Sequence, residues 1–178
     1  RRKDRTLVDV ELFGVPVIVE GKQVGILAIY HDITAQKLAE ENLRASEERH
    51  RFLFESSPDP IVIYDSTGNV THTNFSFEQT FGWTLNEIVG KRLDFVPPES
   101  RAETKELIER LYREGKVVAA DTKRLTKDGH VLDVQISAAV VKRSNGDISG
   151  NMVIFRDVTK QMHARLEIES QKRFFEAL

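Results

Sequence analysis

The chain has 178 residues, 40% of them apolar and 30% charged, the proportions of an ordinary globular protein. Its net charge is −2 and its basic residues are interspersed with acidic ones, so neither nucleic acid nor an acidic membrane surface is an expected partner. Cysteine is absent, which excludes disulfides, thiolate metal sites and cysteine nucleophiles and fits a reducing, cytoplasmic setting. No apolar run reaches the ~18–20 residues of a membrane helix, so no membrane contact by this piece is expected.

In chain order, residues 1–34 end on an apolar run, "VGILAIY", closed by "HDIT". Residues 35–55 are rich in Ala, Leu, Glu and Arg without Gly or Pro and read as a helix, with Thr34 as its N-cap. "SSPDP" (56–60) stops it. "IVIYD" (61–65) and "VTHT" (70–73) are strands about the turn "STGN". "NFSFEQTFGW" (74–83) is a short helix capped by Asn74 and closed by Gly82. "TLNEIVG" (84–90) carries a capping box, Thr84 with Glu87. Residues 97–115 form a longer helix from two prolines to Gly115, with Leu107, Leu111 and Tyr112 on one stripe. Three strands follow, 117–126, 131–141 and 148–157, joined by the hairpin turns "KDGH" and "RSNGD". The order predicts an α+β fold with helices gathered on one face of a sheet.

The chain also repeats itself. Lys3-Asp4 matches Lys127-Asp128, Asp9-Val10 matches Asp133-Val134, Gly21 matches Gly146, and Gly25 matches Gly150. Asp32 and Thr34 match Asp157 and Thr159, and "SQKRFFEAL" (170–178) resembles "ERHRFLFES" (48–56). A unit of roughly 125 residues exceeds the ~20–50 residues of a solenoid repeat and means tandem domains. The expected division is the end of an upstream unit (1–34), a linker helix (35–55), one complete unit (56–159), and an outgoing helix with the start of a next unit (160–178). The chain thus reads as a piece of a longer protein. An isolated 1–34 is an incomplete sheet, completed by upstream residues or by a partner.

The ordered set Asp65, Gly68, Asn74, Gly82-Trp83 and Asp157-Val158-Thr159 resembles the PAS domain family. The resemblance implies a five-stranded antiparallel sheet with helices on one face, flanked by linker helices, and a small pocket between them. Tandem units of this kind resemble the input regions of bacterial two-component sensor histidine kinases and cyclic-di-GMP enzymes. The family's pocket holds haem, flavin, a metabolite or nothing. Leu93 stands where the light-sensing flavin subgroup has its adduct cysteine, and Phe155 where that subgroup has a glutamine. Thr104 stands where the oxygen-sensing haem subgroup has its iron ligand. Photoactive flavin and haem are therefore disfavoured, and the cofactor is left unassigned.

Strand alternation places Val134, Ile136 and Ala138 on one face. That face is expected to line the pocket with Ile61, Ile63, Phe75, Phe95, Val153 and Phe155. The resemblance turns Thr122 and Arg124 inward, where Arg124 can hold a ligand carboxylate through two hydrogen bonds. The plain alternatives are a filled apolar core and a solvated arginine. No phosphate loop, dinucleotide loop, zinc-protease motif or nucleophile elbow occurs, and the five histidines are dispersed, so no catalysis is expected. Asp32 with Thr34 and Asp157 with Thr159 form a recurring joint from strand end to helix start, read either as a relay of sheet distortion or as a good cap. A broken 3/4 spacing through Leu38, Ala45 and Phe52 suggests a homodimer through the linker helices, while a solvated helix is the alternative. Ala139, Val141, Met152 and Ile154 leave apolar surface on the outer sheet face, for a helix to cover. The expected function is a sensory and dimerisation module that reads a small ligand or partner. A ligand-free spacer is the first alternative, and a small enzyme using the pocket the last.

Overall fold

The computed structural model describes residues 7–176, so the Lys3-Asp4 part of the repeat and the last two residues of 170–178 lie outside the described residues. The chain divides into two compact units, one up to Phe52 and one from Leu53 onward.

In the first unit, β1 (Val10–Val19) and β2 (Lys22–Asp32) form an antiparallel hairpin. Its two-residue turn, Glu20-Gly21, has positive φ at both positions, the mirror-image geometry that matches the twist of paired strands. Apolar side chains occupy both faces, among them Leu12, Phe13, Leu27 and Tyr30, and all are exposed. The long helix α1 (Thr34–Glu55) begins here, runs into the second unit, and has no buried residue.

In the second unit the sheet order is β4-β3-β7-β6-β5, every neighbouring pair antiparallel. The strands are β3 (Ile61–Asp65), β4 (Val70–Thr73), β5 (Lys116–Leu125), β6 (Val131–Lys142) and β7 (Ile148–Asp157). The first strand of the unit thus lies beside the last. Contact there is close: a Cβ on Gly150 would fall 1.9 Å from the Tyr64 carbonyl oxygen. The helices between are α2 (Phe75–Phe81), α3 (Leu85–Ile88) and α4 (Arg101–Glu114), the last entered through a short 3₁₀ turn at Pro98–Ser100. Helix α5 (Thr159–Glu176) leaves the end of β7. Among the described residues, no helix is long and apolar enough to cross a membrane.

Local chemistry explains the boundaries. Asn74 is fully buried, and its Oδ1 accepts from the N–H of Phe77, the first turn of α2, and from Ile61 N–H at the start of β3. Its Nδ2 donates to the carbonyls of Phe54 and Asp59. One amide therefore holds the end of α1, the start of β3 and the start of α2. The Glu87 carboxylate accepts from Thr84 N–H, as the capping box predicts, and pairs with Lys127. Asp65 takes hydrogen bonds from Thr67 and Asn69 and closes the β3–β4 turn. Four rings, Phe77, Phe81, Phe95 and Phe155, form the core with centroids 4.9–6.3 Å apart, mostly edge to face.

Candidate functional site

Register decides which side chains share the inner face of the sheet. Val62 pairs with Val153 and Tyr64 with Asn151, while Ala138 pairs with Val153 and Ile136 with Phe155. Across β5, Thr122 pairs with Val134 and Arg124 with Leu132. Directly paired residues of an antiparallel ladder lie on one face, so these side chains all look toward the helices. Between that face and α4 lies a half-open cavity of about 460 Å³, within the ~300–1,000 Å³ of small-molecule sites. Helix α4 turns Thr104, Leu107, Ile108, Leu111 and Tyr112 toward it, the three- and four-residue spacing of one helical face.

Of the residues expected in the pocket, Phe95, Arg124, Ile136, Ala138, Val153 and Phe155 stand on its wall. Thr122 is buried beside it, and Val134 lies behind it in the aromatic core. Three expectations are corrected. Ile61 and Ile63 face the opposite side of the sheet, because they pair with Ile154 and Met152, and Val62 and Tyr64 turn inward instead. Every residue of "IVIY" is apolar or aromatic, so alternation carried no polarity signal there. Phe75 is 61% exposed, because Asn74 starts the helix so that Phe77 and Phe81, four apart, face the core. Tyr64, Thr104, Tyr112 and Asn151 are wall residues that the pocket prediction missed. The α4 members share the stripe of Leu107 and Leu111, and Tyr64 had no sequence signal.

The polar groups are few. Arg124 is only 4% exposed and lies over the Phe95 ring, 5.6 Å from its centroid. Its Nη1 donates to Thr122 Oγ1 (3.2 Å) and to the Lys123 carbonyl (2.7 Å). The Thr122 hydroxyl in turn donates to Glu103 at 3.4 Å. Among the described residues, Arg124 Nε and Thr104 Oγ1 find no hydrogen-bond partner, and both are buried. Burial lowers the Arg124 pKa to about 10, which leaves it charged at neutral pH. Burial pushes the Tyr64 phenol well above its ordinary range, against the pull of Arg124, so it stays a neutral O–H. Asn151 Nδ2 donates to the Tyr112 hydroxyl at 3.0 Å. Arg92 sits at one end of the cavity and donates through Nε and Nη2 to the Thr67 carbonyl.

The strand-to-helix joints differ from expectation in one respect. The threonine hydroxyls do not cap the helices. In the second unit the Asp157 carboxylate accepts from Thr159 N–H (2.9 Å), and Thr159 Oγ1 accepts from Asp133 N–H on β6 (3.1 Å). In the first unit Asp32 accepts from Thr34 N–H (3.1 Å), and Thr34 Oγ1 accepts from Asp9 N–H (2.9 Å). The aspartate caps, and the threonine ties the helix start to the neighbouring strand. A lysine holds each of these aspartates, Lys123 on Asp133 of β6 and Lys37 on Asp9 just before β1.

A family model described as the PAS fold matches residues 54–162, more than half of the chain. The chain belongs to the PAS-fold family. It is 26% identical over 156 residues to sporulation kinase E of Bacillus subtilis, covering 83% of this chain and 20% of that protein. It is 30% identical over 71 residues to the sensor protein FixL of Bradyrhizobium diazoefficiens, covering 40% of this chain and 14% of that one. The chain thus spans a fifth or less of the length of these relatives. Among solved structures, the PAS domain of a Colwellia psychrerythraea protein superposes with a TM-score of 0.59 at 24% identity, covering 65% of this chain and 98% of that chain. An RNA-binding light-oxygen-voltage receptor superposes with a TM-score of 0.59 at 18% identity, covering 97% of this chain and 45% of that chain. The match to the PAS fold and the similarity to sensor proteins support a signal-sensing role. The three positions that bear on PAS cofactors, Leu93, Thr104 and Phe155, all stand on the cavity wall. Among the described residues, neither an imidazole nor a thiol lines it.

Proposed function

We propose that the complete PAS unit is a cytoplasmic ligand-sensing module of a bacterial two-component protein, without catalysis of its own. It binds a small molecule in the cavity and relays occupancy through α5. One observation carries this reading: β7 supplies both the cavity wall and the joint. Val153 and Phe155 line the cavity, and two residues on, Asp157 holds the first N–H of α5. A change of wall packing therefore acts on a strand that ends in the helix cap. The same joint recurs at Asp32 and Thr34, which supports residues 1–34 as the closing strands of an upstream PAS repeat. Exposed Leu38, Leu43, Phe52 and Leu53 on α1 support homodimerisation along the linker helices.

The test is native mass spectrometry of the purified chain, with hydrogen exchange of α5 before and after the bound mass is stripped. A reproducible extra mass, with α5 amides that exchange faster once it is removed, is the expected result. A clean protein mass that stays unchanged after incubation with cell extract would make the unit a spacer. If Asp157→Ala in a full sensor lowers stability while the signal response stays intact, the relay part of the proposal fails.

A further inference from the structure

The cavity is asymmetric in charge. Its wall is mostly apolar, with Leu93, Leu107, Leu111, Ile136 and Val153 prominent, and among the described residues no carboxylate lines it. Its two charged wall residues are Arg92 and Arg124. Arg92 is exposed and occupied by the Thr67 carbonyl. Arg124 is the one buried cation there. A buried cation is costly unless an anion pairs with it, and among the described residues Arg124 forms no ion pair. Glu103 is near enough for its charge to act on Arg124, and the hydrogen-bonded path between them runs through the Thr122 hydroxyl.

The guanidinium is committed on one side only. Its Nη1 is held by Thr122 and Lys123, and Phe95 covers one face. The remaining Nε–Nη2 edge makes no hydrogen bond among the described residues, and Nε is fully buried. That edge presents two parallel N–H donors, the fork that matches the two oxygens of a carboxylate. Thr104 Oγ1, a second buried hydroxyl without a partner, lies on the same wall, beside Glu103. Tyr64 adds a neutral phenol to that wall.

Resting on the ligand-sensing reading above, we propose that the cavity takes a small monocarboxylate with an apolar body. Its carboxylate sits on the Nε–Nη2 edge of Arg124, and its body lies against Leu107, Leu111, Ile136 and Val153. Arg124 is thus a specificity residue, held in place before the ligand arrives by Thr122, Lys123 and Phe95.

The test uses matched probes on the full chain: 3-phenylpropionate and octanoate against 3-phenylpropionamide and octanamide, by titration calorimetry. Each acid is expected to bind at least about 10-fold more tightly than its amide, since a paired charge-assisted contact exceeds a neutral one by that much. Arg124→Met should erase this preference, weakening the acids about 10-fold or more and leaving the amides unchanged. It should also raise the unfolding midpoint of the ligand-free protein, because it removes an unpaired buried charge. Arg124→Gln serves the same purpose if Arg124→Met does not fold. Ala138→Phe, which fills the cavity, should abolish binding of acids and amides alike. Equal binding of acid and amide overturns the carboxylate class and leaves the ligand-sensing reading standing. Failure of every acid and every amide to bind overturns the monocarboxylate proposal, and the ligand-sensing reading then falls or stands by the native mass spectrum. A loss of stability in Arg124→Met with the acid preference intact makes Arg124 structural and overturns the proposal.

Discussion

Asn74 is a position where one polar substitution should cost heavily. Its side chain is fully buried and serves three segments at once. In Asn74→Ala, α2 loses its cap, worth ~1 kcal/mol. Ile61 N–H (2.8 Å to Oδ1) then loses its partner in a buried place, at ~1–3 kcal/mol for the group left unsatisfied, while the half-buried Asp59 carbonyl keeps the Ser57 hydroxyl. The sum, roughly 2–4 kcal/mol, is a large share of the ~5–15 kcal/mol that holds a domain together. Urea unfolding followed by the fluorescence of Trp83, the only tryptophan, measures it directly, since Trp83 packs edge-on against Phe95 at 6.2 Å. Asn74→Asp separates capping from donation. The new carboxylate still accepts from Ile61 and Phe77 but faces the Phe54 and Asp59 carbonyl oxygens, which raises its folded pKa above the unfolded ~3.9. The sign follows: stability is best retained below the unfolded value and falls as pH rises through the folded one. A loss of less than ~1 kcal/mol in Asn74→Ala, no larger than that of a cap alone, would refute the role of a three-way tie.

Gly150→Ala should destabilise by ~2 kcal/mol or more, because its Cβ would lie 1.9 Å from the Tyr64 carbonyl oxygen and β3 must move away. Gly25→Ala, at the matching position of the first unit, has nothing within 4 Å and should be nearly neutral by thermal unfolding. Asp65 and Glu87 both have pKa values lowered to about 2, Asp65 chiefly by the Thr67 hydroxyl and Glu87 chiefly by Lys127. Depressed values stabilise above the unfolded range near ~4, and that stability is lost as pH falls toward about 2. Asp65→Asn and Glu87→Gln should each flatten the acid limb of a stability-versus-pH curve, and an unchanged limb would contradict the assignment. Ala119, at φ 50 in the β5 bulge, is a non-glycine residue in left-handed backbone. Ala119→Gly should therefore gain up to ~1 kcal/mol in chemical denaturation, the strain relieved less the extra chain entropy.

The recurring joint shows how far a repeated motif carries an argument. Asp-x-Thr at 32–34 and 157–159 identified the strand-to-helix junction twice, and both junctions form. Which side chain does what was not in the letters. The hydroxyl was expected to satisfy the first turn of the helix, but it accepts instead from Asp9 or Asp133, residues 25 and 26 positions away in sequence. A local pattern reports local partners, and here the partner stands on the neighbouring strand.

The sequence by itself determined the elements, their order and most of the inner face. Turn residues, caps and helix stops are decided within a few residues by backbone sterics and nearby hydrogen bonds. The alternation of β6 and β7 could therefore be read into Ile136, Ala138, Val153 and Phe155, while the resemblance to the PAS family turned Thr122 and Arg124 inward. Tertiary structure alone decided the parity of β3, where apolar side chains on both faces leave only the pairing of Val62 with Val153 to choose which side looks inward. It also decided that Phe77 and Phe81, not Phe75, enter the core, and that a glycine essential at 150 is unconstrained at 25. The unpaired edge of Arg124 belongs to the same class. An arginine's partners come from distant strands and helices, and whether one of them is an anion is a property of the assembled cavity.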